Sequence, residues 1–275
     1  AASGSGLRAS PRDGAAFEHA GKGADLRLAF DVGMYDGADT DYLLRSGFRV
    51  VAVEAHPLLC QRAQARFARE IGDGRLTIAN VAIAGDEGTT ELSLCSDDLG
   101  SSSIVADKLR GSRHAGSLRV PATTIGALFS AYGVPDYMKI DIEGADRHCI
   151  LPLTAETAPR QLSFEVDEDV LELVGHLAAI GYAKFKLIGQ TSFLEIDAEH
   201  GMGYRFRNRV MKLLGYDEPG LVRRNGKWFP LMHSSGPGPW ESDGDWYSAD
   251  TLLRKWRRSG ELDRRQGWYD VHAMR

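Results

Sequence analysis

Two carboxylates two positions apart, Asp141 and Glu143, close the apolar run in "YMKIDIEGAD", and a third, Glu165, closes another in "QLSFEV". Strand side chains alternate faces, so Asp141 and Glu143 are expected to point into one cleft while Ile142 faces the opposite layer. Two like charges aimed at one cleft are costly unless a cation, an amine or a shared proton relieves them, and that arrangement suits proton-transfer chemistry. The plainer alternative has Asp141 capping the following helix and Glu143 pairing with a surface Arg or Lys. Glu165 reads either as a group that holds a second substrate or as a solvated strand end.

A second constellation lies upstream. "LAFDVGMYDGADTDYLLRSGFRVVAVEAHP" runs an apolar segment into Asp31, opens a turn through Gly33, Tyr35, Asp36 and Gly37, then ends a second apolar segment on Glu54, Ala55 and His56. In a doubly wound sheet the first strand-to-helix turn carries glycines so that backbone can approach a ligand. The interval D-x-G-x-x-x-G lacks the last step of the G-x-G-x-x-G dinucleotide fingerprint, which disfavours NAD and favours a nucleoside cofactor without a pyrophosphate. Glu54, one strand later, can accept both hydroxyls of a ribose. Singly, such a glycine turn is often only a turn and such a glutamate only solvated. In this order and separation they read as a site for the adenosine part of S-adenosylmethionine.

The elements that must position these residues follow from the pattern. From Leu26 to about Lys186, short β-rich runs alternate with amphipathic stretches, which encodes a mainly parallel sheet covered by helices. The strands expected are "LRLAFDV", "FRVVAVEA", "RLTIANVAI", "YMKIDIE", "QLSFEV" and "AKFKLI"; the helices are "DTDYLLRSG", "PLLCQRAQARFAREIG" and "DEDVLELVGHLAAIG". Pro57 near a first turn and Gly72 after a last one suit helix ends. "TTELSLC" fits a hairpin arm, and residues 100–118, small and polar, fit a loop that closes over a site. All five tryptophans fall in the last fifth of the chain, where "SADTLLRKWRRSG" reads as a helix capped by Ser248. The expected division is a flexible tail over 1–24, a main domain over 25–214 and an extension packed on it over 215–275.

Composition bounds the function. With 275 residues and a formal charge of −5, the chain can bury a sizeable core and carries no basic field that would demand nucleic acid. Three widely spaced cysteines without ligand spacing argue for reduced thiols, hence a cytoplasmic setting, and no apolar run is long enough to span a membrane. Asp141, Glu143, Glu165 and a histidine could ligate a hard cation such as Mg²⁺, but no spacing dictates one, so no metal residue is assigned.

"FDVGMYDGADT", "VVAVEAHP", "IANVAIAGDEGTTEL", "MKIDIEGAD" and "LSFEVDE", in this order, resemble the FkbM family of class I S-adenosylmethionine-dependent methyltransferases. The resemblance spans about Leu26 to Gly189. It implies a Rossmann-like α/β fold with a seven-stranded, mainly parallel sheet, helices on both faces, and the Trp-rich C-terminal extension as an addition. It maps the cofactor turn onto Asp31, Gly33 and Gly37, the ribose carboxylate onto Glu54, the adenine contact onto Asn80 and Val81, and the strand-four signature onto Lys139, Asp141, Glu143 and Gly144. Met34 and Tyr35 depart from the Ala and Asn more usual there. "HSSGPGPW" is similar to a loop near the end of many members.

The activity implied is methyl transfer from S-adenosylmethionine, leaving S-adenosylhomocysteine, to a small-molecule or peptide acceptor. O-methylation of a saccharide or other natural product is the first expectation, a peptide amide nitrogen the second, and a non-catalytic nucleotide-binding module the third. Glu143, then Asp141, are the candidate catalytic carboxylates. Ser102, Ser103, Glu165, His233, Ser234, Ser235 and Trp240 are the candidate acceptor contacts. Oligomeric state is not legible.

Overall fold

The computed structural model of the chain describes residues 26–275, apart from 97–98, 106–113, 191, 200, 204–205, 207–208, 210–220, 231–232 and 263–267. The elements, in chain order, are β1 (Leu28–Val32), α1 (Ala38–Arg45), β2 (Arg49–Val53), α2 (Pro57–Arg66), α3 (Ala68–Gly72), β3 (Leu76–Ala79), β4 (Ala82–Ile83), β5 (Gly88–Cys95), β6 (His114–Thr123) and α4 (Ile125–Tyr132). They continue with β7 (Tyr137–Ile140), α5 (Arg147–Ile150), β8 (Gln161–Glu165), α6 (Val170–Ala179), β9 (Lys184–Gly189), α7 (Ile196–Glu199), β10 (Leu221–Arg224), β11 (Lys227–Pro230), α8 (Ala249–Leu262) and β12 (Tyr269–Met274).

Seven strands form the central sheet in the order β3-β2-β1-β7-β8-β12-β9. All are parallel except β12, which runs antiparallel to both neighbours. β1, which carries Asp31, is buried throughout, as expected of a strand covered on both faces. Alternation sorts its residues: Phe30 and Val32 pack with Ile125, Ile150 and Leu173 in one helical layer, whereas Ala29 packs with Leu43, Ala63 and Phe67 in the other. The chain winds outward from β1 to β3, then returns to place β7 on the other side of β1. The resulting switch point opens a crevice at the carboxyl ends of β1 and β7, where ligands bind in such sheets.

Four local expectations are corrected. The helix expected over "PLLCQRAQARFAREIG" is two, α2 and α3, divided at Phe67, whose backbone leaves the helical range while its ring fills the space under Gly37. The arm at "TTELSLC" is β5 paired with β6, so residues 114–118 of the expected loop are strand; residues 106–113 of it lie outside the described residues. β7 stops at Ile140, short of both carboxylates it was expected to carry. Finally β12, within the stretch expected as an appendage, is an interior strand of the sheet. Its "YDVHAM" alternates polar and apolar residues like a half-exposed strand, yet Asp270 and His272 are both buried, the first on the Gln190 amide at 2.9 Å and the second against the Ser242 hydroxyl at 3.3 Å.

Cys60, Cys95 and Cys149 are free and buried. Among the described residues no helix is long and apolar enough to cross a membrane.

Because β12 is paired on both sides, a chain ending after Trp268 would expose ladder groups of β8 and β9 and open the apolar layer around Val271. The truncated protein is expected to lose cooperative thermal unfolding. A sharp transition near the parent midpoint in calorimetry would show that the sheet closes without it.

Candidate functional site

The crevice is built around one buried lysine. Lys139 sits on β7 directly across from Asp31 on β1, and its ammonium lies 3.6 Å from Asp31, 3.4 Å from Asp39 and 3.4 Å from Asp141, while donating to the Gly33 carbonyl at 3.0 Å. Burial alone would lower its pKa, but Asp141, Asp31 and Asp39 outweigh that and hold it well above the usual range. One ammonium among three carboxylates leaves a surplus of negative charge. Asp31, fully buried, is pushed up to about 6 by burial against the pull of Lys139, and its Oδ2 takes the Thr40 hydroxyl at 2.5 Å. The cation that the carboxylate pair was argued to need is therefore supplied by the chain, and Asp31 serves this cluster rather than lining the cavity.

Above the cluster the turn after β1 approaches Asp141 closely. A side chain on Gly33 would place its Cβ 1.7 Å from the Asp141 carbonyl oxygen, so only glycine fits, and its φ of 86° agrees. Glu54 ends β2 with each carboxylate oxygen already accepting one backbone N–H, Oε2 from Tyr35 at 2.9 Å and Oε1 from His56 at 2.7 Å. A carboxylate has about four acceptor positions, so two remain for a pair of hydroxyls. Burial raises the pKa of Glu54, and the two N–H groups oppose it.

Gly33, Glu54, Ala55, Val81, Asp141 and Glu143 share one cavity of about 500 Å³ at the carboxyl ends of the strands. Its apolar walls, from Val53, Ile83 and Leu92 among others, offer a face for a flat base, and Glu54 offers acceptors for a ribose, so the residues fit an adenosyl group. Asn80 and His56 stand behind it. The Asn80 amide donates to the Glu54 and Ala55 carbonyls at 2.9 and 3.1 Å, and His56 caps α2 through a ring nitrogen that accepts from the Leu58 N–H at 3.2 Å. Gly37, with φ 83°, starts α1 over the Phe67 ring.

Asp141 and Glu143 both line the cavity, though not by strand alternation. Residues 141–144 form a turn in which Glu143 (φ 52°) and Gly144 (φ 86°) are left-handed, and the Ser103 hydroxyl donates to the Glu143 carbonyl at 2.7 Å. Three further carboxyls, Asp146 and Asp270 buried and Glu165 half-buried, surround this turn. Burial, then Asp141, pushes Asp146 up to about 8; burial, then Asp141 and Glu143, pushes Glu165 up to about 9; burial, then Asp141, holds Asp270 well above the carboxylate range. Asp270 lies directly across from Glu165 in the β8–β12 register. Asp39, Asp146 and Asp270 were not singled out from sequence. The signal available was a lysine and three acids inside otherwise apolar or helix-starting segments. Among the described residues no cluster of three His, Cys, Asp or Glu side chains is arranged to hold a metal ion.

Apart from Glu165, which ends β8 across from Asp270 and is not among the residues lining the cavity, the expected acceptor contacts separate into two groups. Ser102 lines the cavity with Leu99 and Gly100, and Ser103 holds the Glu143 turn. The C-terminal loop goes elsewhere, onto α1. Ser234 donates to Asp39 at 2.5 Å and the Ser235 N–H to the same carboxylate at 3.0 Å. Trp240, a candidate acceptor contact, stacks on Tyr42 and meets Tyr137 edge-on, with centroids 6.0 and 4.9 Å away, so its ring packs against the protein's own aromatics. His233 reaches Asp36 at 2.9 Å and stacks on Tyr35; these three line a separate cavity beside α2.

Two outcomes follow from this geometry. Glu54→Ala removes a buried double acceptor and should weaken S-adenosylhomocysteine binding roughly a hundredfold in calorimetric titration; unchanged affinity would take Glu54 out of the site. Glu165 binds its proton more tightly folded, at about 9, than unfolded, near the ordinary glutamate value of 4.5, so its ionisation destabilises the fold increasingly as pH rises through that window. Glu165→Gln carries no such penalty. Its melting temperature should match the parent near pH 5 and exceed it progressively towards about pH 9; a constant difference would contradict the assigned proton.

The family model described as Methyltransferase FkbM domain matches residues 31–206. Among curated proteins, the probable ribosomal RNA small subunit methyltransferase A of Methanospirillum hungatei is 42% identical over 52 residues, 19% of this chain, and the match spans only 20% of that protein's length. Solved structures with some likeness include the O-methyltransferase of a trans-AT PKS multienzyme from Brevibacillus brevis in complex with S-adenosyl-L-homocysteine, 10% identical, with 91% of this chain and 67% of that one covered and a TM-score of 0.37. Phosphoethanolamine N-methyltransferase 2 of Haemonchus contortus, in complex with S-adenosyl-L-methionine, is 12% identical, with 90% and 48% covered and a TM-score of 0.35. These structural likenesses are loose, and the assignment rests on the domain match, which takes in the glycine turn, Glu54 and the Asp141–Glu143 turn together. The chain belongs to the FkbM methyltransferase family.

Proposed function

We propose that this methyltransferase modifies a hydroxyl oxygen of a saccharide-like or other natural-product small molecule, with Glu143 taking or orienting the hydroxyl proton. The observation that carries the reading is the conformation of Glu143. A left-handed backbone costs a non-glycine residue about 1–2 kcal/mol, and here the strain is maintained on the cavity wall by the Ser103 hydroxyl and by Gly144. Strain of this kind persists where surrounding structure enforces it, and functional sites are where it collects.

S-adenosylmethionine supplies an electrophilic methyl on a sulfonium, and displacement there needs a nucleophile in line. An alcohol must also give up its proton, and a carboxylate within hydrogen-bond reach is a suitable acceptor. Asp141 is engaged with Lys139, which suits it to tune the charge of the cleft rather than to accept the proton. Glu165, pushed up to about 9 by burial and by Asp141 and Glu143, is not among the residues that line the cavity and is not assigned the proton. Glu143 is thus the carboxylate of the turn best suited to the proton.

Glu143→Gln keeps the shape and removes the charge. S-adenosylhomocysteine affinity should survive while single-turnover methyl transfer falls roughly a hundredfold or more. The acceptor comes first, found by mass spectrometry as a gain of one methylene in saccharide and natural-product mixtures. Transfer at the parent rate would return Glu143 to structure, and a product methylated on a peptide amide nitrogen would overturn the hydroxyl reading.

A further inference from the structure

Beside the cofactor cavity, and sharing Leu99 with it, lies a second cavity of about 770 Å³ between the turn after β1 and the exposed face of α2. Nothing in the methyl-transfer reading uses it, yet its walls are built. Tyr35 forms the partition. Its φ of 50° is left-handed, and its ring lies so close to Gly100 that a Cβ there would come 2.7 Å from the ring. On its other side the ring stacks on His233 at 5.5 Å and 22°, and His233 is fixed by the Asp36 carboxylate at 2.9 Å. Strain, a glycine that only just clears the ring, and a pinned stacking partner together hold one aromatic wall in place.

The opposite wall is cationic. Arg62 and Arg66 stand one turn apart on α2 and both line the cavity. Arg66 is set in place by donating to the Asp36 carbonyl at 2.7 Å and by lying 4.7 Å over the Phe67 ring, which leaves other donors of its five-proton fork unused by those contacts. Arg62 has no ion-pair partner among the described residues. The one carboxylate that lines the cavity, Asp36, is hydrogen-bonded to His233, and two guanidinium groups against that single carboxylate leave the lining with an excess of positive charge.

We propose that this cavity is a second ligand site, distinct from the cofactor cavity, which takes an oxyanion-bearing small molecule on Arg62 and Arg66 and packs its body against the Tyr35–His233 stack. Paired guanidiniums with free donors recognise phosphate esters and carboxylates alike, since both present oxygens in the plane the fork matches. The proposal does not rest on the identity of the methyl acceptor or on the role of Glu143.

The test is calorimetric titration of the full chain with glucose 1-phosphate, glucuronate, inorganic phosphate and, as the uncharged probe, glucose, with and without saturating S-adenosylhomocysteine. One or more of the anionic probes should bind and glucose should not, and which anions bind separates phosphate esters from carboxylates. Arg62→Gln should weaken that binding about tenfold or more and Arg62→Glu abolish it, while Arg62→Lys keeps part of it. Because Arg62 is exposed, all three variants should retain the parent melting temperature and S-adenosylhomocysteine affinity. Equal binding of glucose and glucose 1-phosphate, no binding by any anion, or an Arg62→Gln variant that binds as the parent does would each overturn the site. So would competition between the anion and S-adenosylhomocysteine, which would move the anion into the cofactor cavity.

Discussion

A single ammonium in the seam between β1 and β7 is the constraint on which the crevice depends. Lys139 links the turn after β1, the start of α1 and the turn after β7, because its partners Gly33, Asp39 and Asp141 belong to those three segments. Lys139, Asp31 and Asp39 lie within protein, where screening is weak and where either carboxylate left alone would be an uncompensated buried charge, while Asp141 meets the cavity. The cluster contributes less through net stability than by fixing where three backbone segments meet. The C-terminal loop is tied to the same hub, since Asp39 holds Ser234 and Ser235 on one side and Lys139 on the other.

Around this hub the protein accepts local strain on both sides of the cavity. Tyr35 and Glu143 adopt left-handed conformations within two residues of Gly33 and Gly144. Glycines next to strained residues let two turns come within contact of each other, and the closeness of Gly33 to the Asp141 carbonyl is the result. The buried carboxyls around Asp141 add an electrostatic cost of the same order of consequence, and protonation relieves part of it. Such sites trade stability for a preorganised arrangement of charge.

The sheet and the cofactor side were legible because periodicity and strand-end residues encode them directly. Short buried strands followed by glycine turns leave few alternatives, and Gly33 and Glu54, read from that pattern, line one cavity with Val81, which the family resemblance supplied. Glu143 also lines the cavity, but through a turn that alternation cannot describe, since β7 ends three residues earlier. The packing of the C-terminal loop was not legible for a different reason. Tryptophan offers the same face to a ligand as to a core, and only the position of Tyr42, Phe48 and Tyr137, all distant in sequence, decides between them. β12 escaped because Asp270 and His272 meet Gln190 and Ser242, partners that no local pattern announces.

The place of β12 bears on how the protein is made. Synthesis delivers β8 and β9 some eighty residues or more before the strand that lies between them, as their ranges show. During that interval the nascent chain has two parallel strands separated by a vacant lane, with unpaired amides and carbonyls on both inner margins. Long-range pairing is slow to form, and open strand margins invite pairing with another chain. Until β12 arrives, those open margins are available for pairing with another chain, and the strand that closes them follows directly on a helix whose Leu252 packs into the same apolar layer.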